Sequence, residues 1–260
     1  MVNNMTFLTA YHSDKGIVKE TNQDALLIKT AKSSFGKIGF FVVCDGMGGL
    51  SNGEVASSTV VQMLNTWFDH ELPNLLSQPE QLEEVLIASL NEKIHIANQR
   101  ILAYGRTRGI ELGTTITALI IVDDKYYTFQ IGDSRAYVVG ETLKQLTEDQ
   151  TFIAREIAHG NLTHEEARNH PKRSVLLQCV GASPDIEVVV SSGFVQGQMM
   201  FLLCTDGFYH EISDVEIIEQ MHPTILSSEQ QMEDTIVELI ELVKRRQEVD
   251  NISAILVRVV

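Results

Sequence analysis

The order of secondary-structure signals in this chain predicts an α+β protein in which sheets pack together and helices lie outside them. Two observations carry the prediction. Short apolar runs bounded by Gly, Asp or Thr stand at 38–44, 116–122 and 199–204, while helical periodicity is confined to three separate stretches. The signals come in blocks: strands, two long helices, a run of strands, a polar stretch, then strands, helices and a last strand. A βαβ parallel sheet alternates its elements instead.

The runs IGFFVVC (38–44), ITALIIV (116–122) and MMFLLC (199–204) are rich in β-branched or aromatic side chains and read as buried strands. Tyr126–Ile131, Ala136–Val139 and Ile252–Val259 alternate more visibly and read as strands with one wet face. Three stripes recur every three or four residues: Ala56, Val60, Met63 and Trp67; Leu86, Leu90, Ile94, Ala97 and Ile101; and Met232, Ile236, Leu239, Ile240 and Val243. All three are read as core faces of helices. The polar 150–175 segment reads as a surface element, with Thr163 capping a short helix through T-H-E-E. Its histidines, His159, His164 and His170, match no zinc-ligand spacing and read as solvated loop residues.

With 260 residues, 44% of them hydrophobic, and no linker or low-complexity tract, the chain reads as one domain over 1–260. The opening MVNNMTFLTAYHSD lacks a basic region followed by an apolar run, and no stretch is long and apolar enough for a membrane span. Cys44, Cys179 and Cys204 are too few for a disulfide framework, so a reducing cytoplasm is expected. A net charge of -15 with scattered basic residues argues against binding to nucleic acid or anionic membranes.

Four aspartates stand at strand ends. Phe40–Cys44 runs into Asp45-Gly46, and Phe201–Cys204 runs through Thr205 into Asp206-Gly207. Asp133 closes the Thr128–Gly132 run, and Asp250 precedes the Ile252–Val259 strand. Carboxylates gathered at one rim repel each other unless cations neutralise them, and an oxygen-only donor set favours Mg²⁺ or Mn²⁺ over zinc. Asp-Gly is also a common turn dipeptide. Periodicity does not show that the four meet, so ordinary turns remain the competing reading.

The chain resembles the type 2C metal-dependent protein serine/threonine phosphatases, in the bacterial branch. The matching blocks follow the family's order: SDKGIVKETNQDA (13–25), VCDGMGGLSNGEVAS (43–57), GTT (113–115), IGDSRAYVV (131–139), LTEDQT (146–151), CTDGF (204–208) and DNISAILV (250–257). The resemblance implies a four-layer αββα sandwich, two antiparallel sheets flanked by helix pairs, with a flap at about 150–175. It implies two or three Mg²⁺ or Mn²⁺ ions. Asp45 and the carbonyl of Gly46, Asp206 and Asp250 are the implied metal ligands, Asp133 helps hold a third ion, and Asp24 accepts from metal-bound water. The catalytic residues so implied are Asp45 and Asp206, and the implied reaction is direct attack of a metal-bridging hydroxide on phosphoserine or phosphothreonine.

Three positions depart from the family pattern. Lys19 replaces an Arg expected to grip the substrate phosphate, Gln23 replaces an acid, and Met47 stands where eukaryotic members carry a His. Gly46, Gly48 and Gly49 read as the metal loop. The GTT block reads as packing, and His164, Arg168 and Arg173 as exposed charge beside the flap. The expected partners are phosphorylated proteins, including a Ser/Thr kinase and its targets, with a monomeric chain. No Cys is followed six residues later by Arg, since those positions hold Leu50, Asp185 and His210, so a cysteine phosphatase is excluded. P-loop and G-x-S-x-G motifs are absent too. The alternative is a catalytically weak or silent relative that binds phosphoproteins as a regulatory module.

Overall fold

The computed structural model describes residues 6–33, 36–48, 52–77, 79–168 and 170–260, without the side chains of Pro79, His164 and Arg168. Strands β1 (Phe7–Asp14), β2 (Ala25–Ser33), β3 (Gly36–Cys44) and β4 (Gly46–Gly48) lead into helices α1 (Asn52–His70), α2 (Leu72–Leu75) and α3 (Leu82–Arg108). Then come β5 (Leu112–Thr114), β6 (Ile116–Val122), β7 (Lys125–Ile131), β8 (Arg135–Val139) and β9 (Leu143–Gln145). The polar segment holds α4 (Phe152–Ala158) and α5 (His164–Arg168). After β10 (Val189–Phe194) and β11 (Met200–Cys204), helices α6 (Asp206–Tyr209), α7 (Asp214–Met221) and α8 (Glu229–Arg245) precede β12 (Ile252–Val259).

Two five-stranded antiparallel sheets result, in the orders β1-β12-β11-β8-β9 and β10-β7-β6-β3-β2, with β4 and β5 forming a separate pair. Side-chain alternation along β3 explains the stacking. Ile38, Phe40, Val42 and Cys44 face the stripes of α1 and α3. Phe41 and Val43 face Phe201, Leu203, Ile255 and Val257 of the other sheet. In that sheet Met200, Leu202, Cys204 and Leu256 turn outward onto α7 and α8. Three apolar layers therefore hold four structural layers, the αββα sandwich expected. Each fully buried large side chain, such as Phe40 or Trp67, contributes about 1.5–3 kcal/mol relative to exposure.

Two expectations need correction. Strands β7, β8 and β12 have no wet face: apart from Lys125, Arg135, Val138 and Arg258, which are half-buried, their described side chains are buried. Each is covered by the opposite sheet on one side and by helices on the other, so the polar positions Thr128, Gln130 and Ser253 are buried and hydrogen-bonded. In α1, Leu64 takes the fully buried place expected of Met63, which packs at the margin. The capping box at Thr163 is present, its hydroxyl accepting from the Glu166 amide while the Glu166 carboxylate accepts from the Thr163 amide. Among the described residues no helix is long and apolar enough to cross a membrane.

Strand register sets where the loops emerge. Cys44 pairs with Ala25, Ile131 with Ile116, Cys204 with both Arg135 and Ala254, and Asp14 with Ile252. The segments after β3, β7 and β11 and those before β2 and β12 thus leave the same end of both sheets.

Candidate active site

That shared end gathers Asp24, Asp45, Asp133, Asp206 and Asp250. Asp45 lies within electrostatic reach of the other four, and its carboxyl is held well above the usual range by desolvation first and by those neighbours next. Asp24 is pushed up to about 7 by burial, reinforced by Asp206 and Asp250 and opposed by its hydroxyl partners. Asp133 is pushed up to about 8 by burial, then by Asp206 and Asp149. Asp206 is also raised, chiefly by burial.

Each carboxylate is fixed by its own scaffold. The Asp45 amide donates to the Thr115 hydroxyl at 2.9 Å, and the Asp45 carbonyl accepts from the Thr115 amide and the Thr114 hydroxyl. The GTT block therefore packs, as expected, and also clamps the Asp45 backbone. Gly46 has no room for a side chain, because a Cβ there falls 2.4 Å from the carbonyl oxygens of Gln23 and Gly53. Asp24 Oδ2 accepts from Ser253 at 2.6 Å and from Thr205 at 3.0 Å. Asn251 accepts from the Gln23 amide and donates to the carbonyls of Lys15 and Thr21, so it pins the loop that carries Lys19.

Sequence reasoning missed several supporting residues. His210 stands between Asp206, at 3.8 Å, and the buried Glu248, at 3.6 Å. Burial alone lowers the pKa of this imidazole, but Glu248 and Asp206 outweigh it and raise the value. Glu248 also accepts from the amides of Val249 and Asp250. Arg135 makes a bidentate pair with Asp149 at 2.6–3.1 Å, and its guanidinium lies 3.7 Å over the Tyr209 ring. Tyr209 in turn donates to the Asp133 carbonyl at 3.0 Å, while Gln150 bonds both the amide and the carbonyl of Gly132. The LTEDQT block thereby latches the loop that presents Asp133. Arg135, Asp149 and Gln150 fall inside family blocks, but Tyr209, His210 and Glu248 do not, and isolated polar residues carry no periodicity that would mark contacts between segments.

Lys19 reaches the cluster, its ammonium 2.6 Å from Asp250. Met47 lies on β4 opposite Gly113. Gly49 falls outside the described residues, as do the side chains of His164 and Arg168, while Arg173 is exposed.

Do these residues fit a cation? Asp24 Oδ1 and Asp206 Oδ1 are buried and, among the described residues, have no hydrogen-bond partner. Such oxygens are costly to leave unmet. Together with the repelling carboxyls and an all-oxygen donor set, they fit a hard divalent ion. The carboxylates are neighbours without already closing into a cage: among the described residues no group of three or more His, Cys, Asp or Glu is arranged to hold an ion.

A four-layer αββα sandwich with acidic loops gathered at one end of both sheets defines the class, an α+β sandwich protein with an acidic site suited to hard cations. Within it, the chain belongs to the protein phosphatase 2C family, whose model matches residues 11–256. The serine/threonine protein phosphatase PstP of Mycobacterium tuberculosis is 29% identical over 255 residues, which cover 96% of this chain and 45% of that protein. This chain thus spans about half the length of that relative. The serine/threonine phosphatase stp of Listeria monocytogenes is 30% identical over 214 residues, 80% of this chain and 81% of that one. Among solved structures, Stp1 of Staphylococcus aureus superposes with a TM-score of 0.83 at 27% identity, covering 97% of this chain and 95% of that one. A PstP catalytic domain in complex with two manganese ions gives 0.79 at 27% identity, covering 98% and 99%.

Proposed function

We propose that this chain is a metal-dependent protein phosphatase that hydrolyses phosphoserine and phosphothreonine by direct attack of water, reversing a bacterial Ser/Thr kinase. The observation that carries the reading is the convergence of five aspartates, two with buried unpaired oxygens, at one end of both sheets. Asp45, Asp206 and Asp250, with the Gly46 carbonyl, are the residues that would hold two Mg²⁺ or Mn²⁺ ions, and Asp133 would help hold a third. When bound, such ions supply a water acidified toward neutral pH and positive charge for the phosphate oxygens.

The chain's own residues do the rest. Thr114 and Thr115 hold Asp45 in place, and His210 with Glu248 holds Asp206 and the backbone before Asp250. Asp24 keeps Oδ1 free to accept a hydrogen bond from water while Ser253 and Thr205 orient the other oxygen. Lys19 brings one positive charge for the substrate phosphate, as a point donor rather than a bidentate one.

The Lys19–Asp250 pair also favours a second reading, a weak or silent relative acting as a phosphoprotein-binding module, because the ammonium engages an expected metal ligand. Hydrolysis of p-nitrophenyl phosphate with and without Mn²⁺ decides between them. The phosphatase reading expects Mn²⁺-dependent turnover that drops at least about a hundredfold, some 2.7 kcal/mol, in Asp45→Asn and Asp206→Asn. Equal rates in all three proteins would refute it.

A further inference from the structure

The rim beside the carboxylates carries three exposed β-branched side chains: Ile17, Val18 (62% exposed) and Val249 (49%). One such residue is ordinary on a protein surface, but here three stand on two loops that touch. A Cβ at Gly16 falls 2.2 Å from the Asp250 carbonyl oxygen, and Asn251 bonds the carbonyls of Lys15 and Thr21. Between Val18 and the exposed Glu20, Lys19 turns down to Asp250, while Val249 directly precedes Asp250. The apolar groups therefore border the point where the loops enter the site. Val18 and Val249 directly adjoin Lys19 and Asp250 in the chain, and consecutive residues of an extended chain are spaced about 3.5 Å apart, so this rim is within the span of one or two residues on either side of a phosphoresidue held at Lys19. The rim gives little reason to select charge, because the exposed Lys15 and Glu20 on the same loop have opposite signs.

We propose, resting on the phosphatase reading, that Ile17, Val18 and Val249 form an apolar lip selecting phosphoprotein segments with an aliphatic side chain beside the phosphorylated Ser or Thr. Two phosphothreonine peptides, identical except for Leu or Ser on both sides of the phosphoresidue, test it alongside p-nitrophenyl phosphate, all with Mn²⁺. The unaltered protein is expected to prefer the Leu peptide about tenfold in kcat/KM, the equivalent of about 1.4 kcal/mol. The double variant Val18→Ser/Val249→Ser removes that preference and leaves p-nitrophenyl phosphate within about twofold. Phe194→Ser, altering an equally exposed residue on β10 at the opposite end of the sheet, keeps it. Equal kcat/KM for the two peptides in the unaltered protein, or an equal loss on all three substrates in the double variant, overturns the lip alone. No hydrolysis of p-nitrophenyl phosphate by the unaltered protein overturns the phosphatase reading, and the lip with it.

Discussion

At the scale of single residues, the backbone of Asp45 is held from both sides, since its amide and its carbonyl each meet a threonine of the GTT block. The Thr115 hydroxyl also meets Ser134 at 2.7 Å, next to Asp133, so one side chain ties two of the acidic loops together. Thr115→Val leaves the Asp45 amide and the Ser134 hydroxyl without this partner in a buried place. The expected cost is about 2 kcal/mol in urea denaturation, with a lowered kcat on p-nitrophenyl phosphate, while Thr115→Ser preserves both. Asp45 and Asp206 were legible because each follows an apolar run and precedes glycine. Glu248 and His210 were not, since nothing local marks a polar loop residue whose partner lies on another segment.

At the scale of elements, β8 and the segment after β9 form one unit through Arg135 and Asp149, whose side chains are only 25% and 14% exposed. Breaking a pair this sheltered strands a charge, so Arg135→Met is expected to lower stability by about 3 kcal/mol in urea denaturation. A loss under about 1 kcal/mol would place this pair with ordinary surface bridges. The same scale explains which strands were readable. The runs behind β3, β6 and β11 are buried on both faces and so read as continuous apolar sequence. Strands β1, β2 and β10 stand at sheet edges, where half-buried and exposed positions mix, and their sequences carry no alternation strong enough to recognise. The wet faces expected of β7 and β12 failed for a related reason: the polar side chains of Thr128, Gln130 and Ser253 meet polar partners on neighbouring segments inside the molecule rather than water.

At the scale of the whole molecule, three apolar layers bring mutually repelling carboxyls to one end and keep them there. The consequence for stability has a definite sign. Carboxyls raised in the folded state, Asp24 to about 7 and Asp133 to about 8, hold protons that the unfolded chain has released above about pH 4. Folding stability therefore falls as pH rises from about 4 to 8, and the raised His210 acts in the same direction. Chelator-treated protein should melt at a higher temperature at pH 5 than at pH 8, and Mn²⁺ at pH 8 should recover the loss. A melting temperature that climbs between pH 5 and pH 8 without metal would contradict this. The blocked order of elements implied sheets with helices outside them, the family motifs implied both the four layers and the meeting of the acids, and the strand register supplies the physical cause of that meeting.

That convergence is tested most directly by titrating Mn²⁺ into chelator-treated protein in a calorimeter. Saturable uptake by the unaltered chain, abolished or sharply weakened in Asp45→Asn, is the predicted result. Absence of uptake, or equal uptake by both proteins, would contradict it.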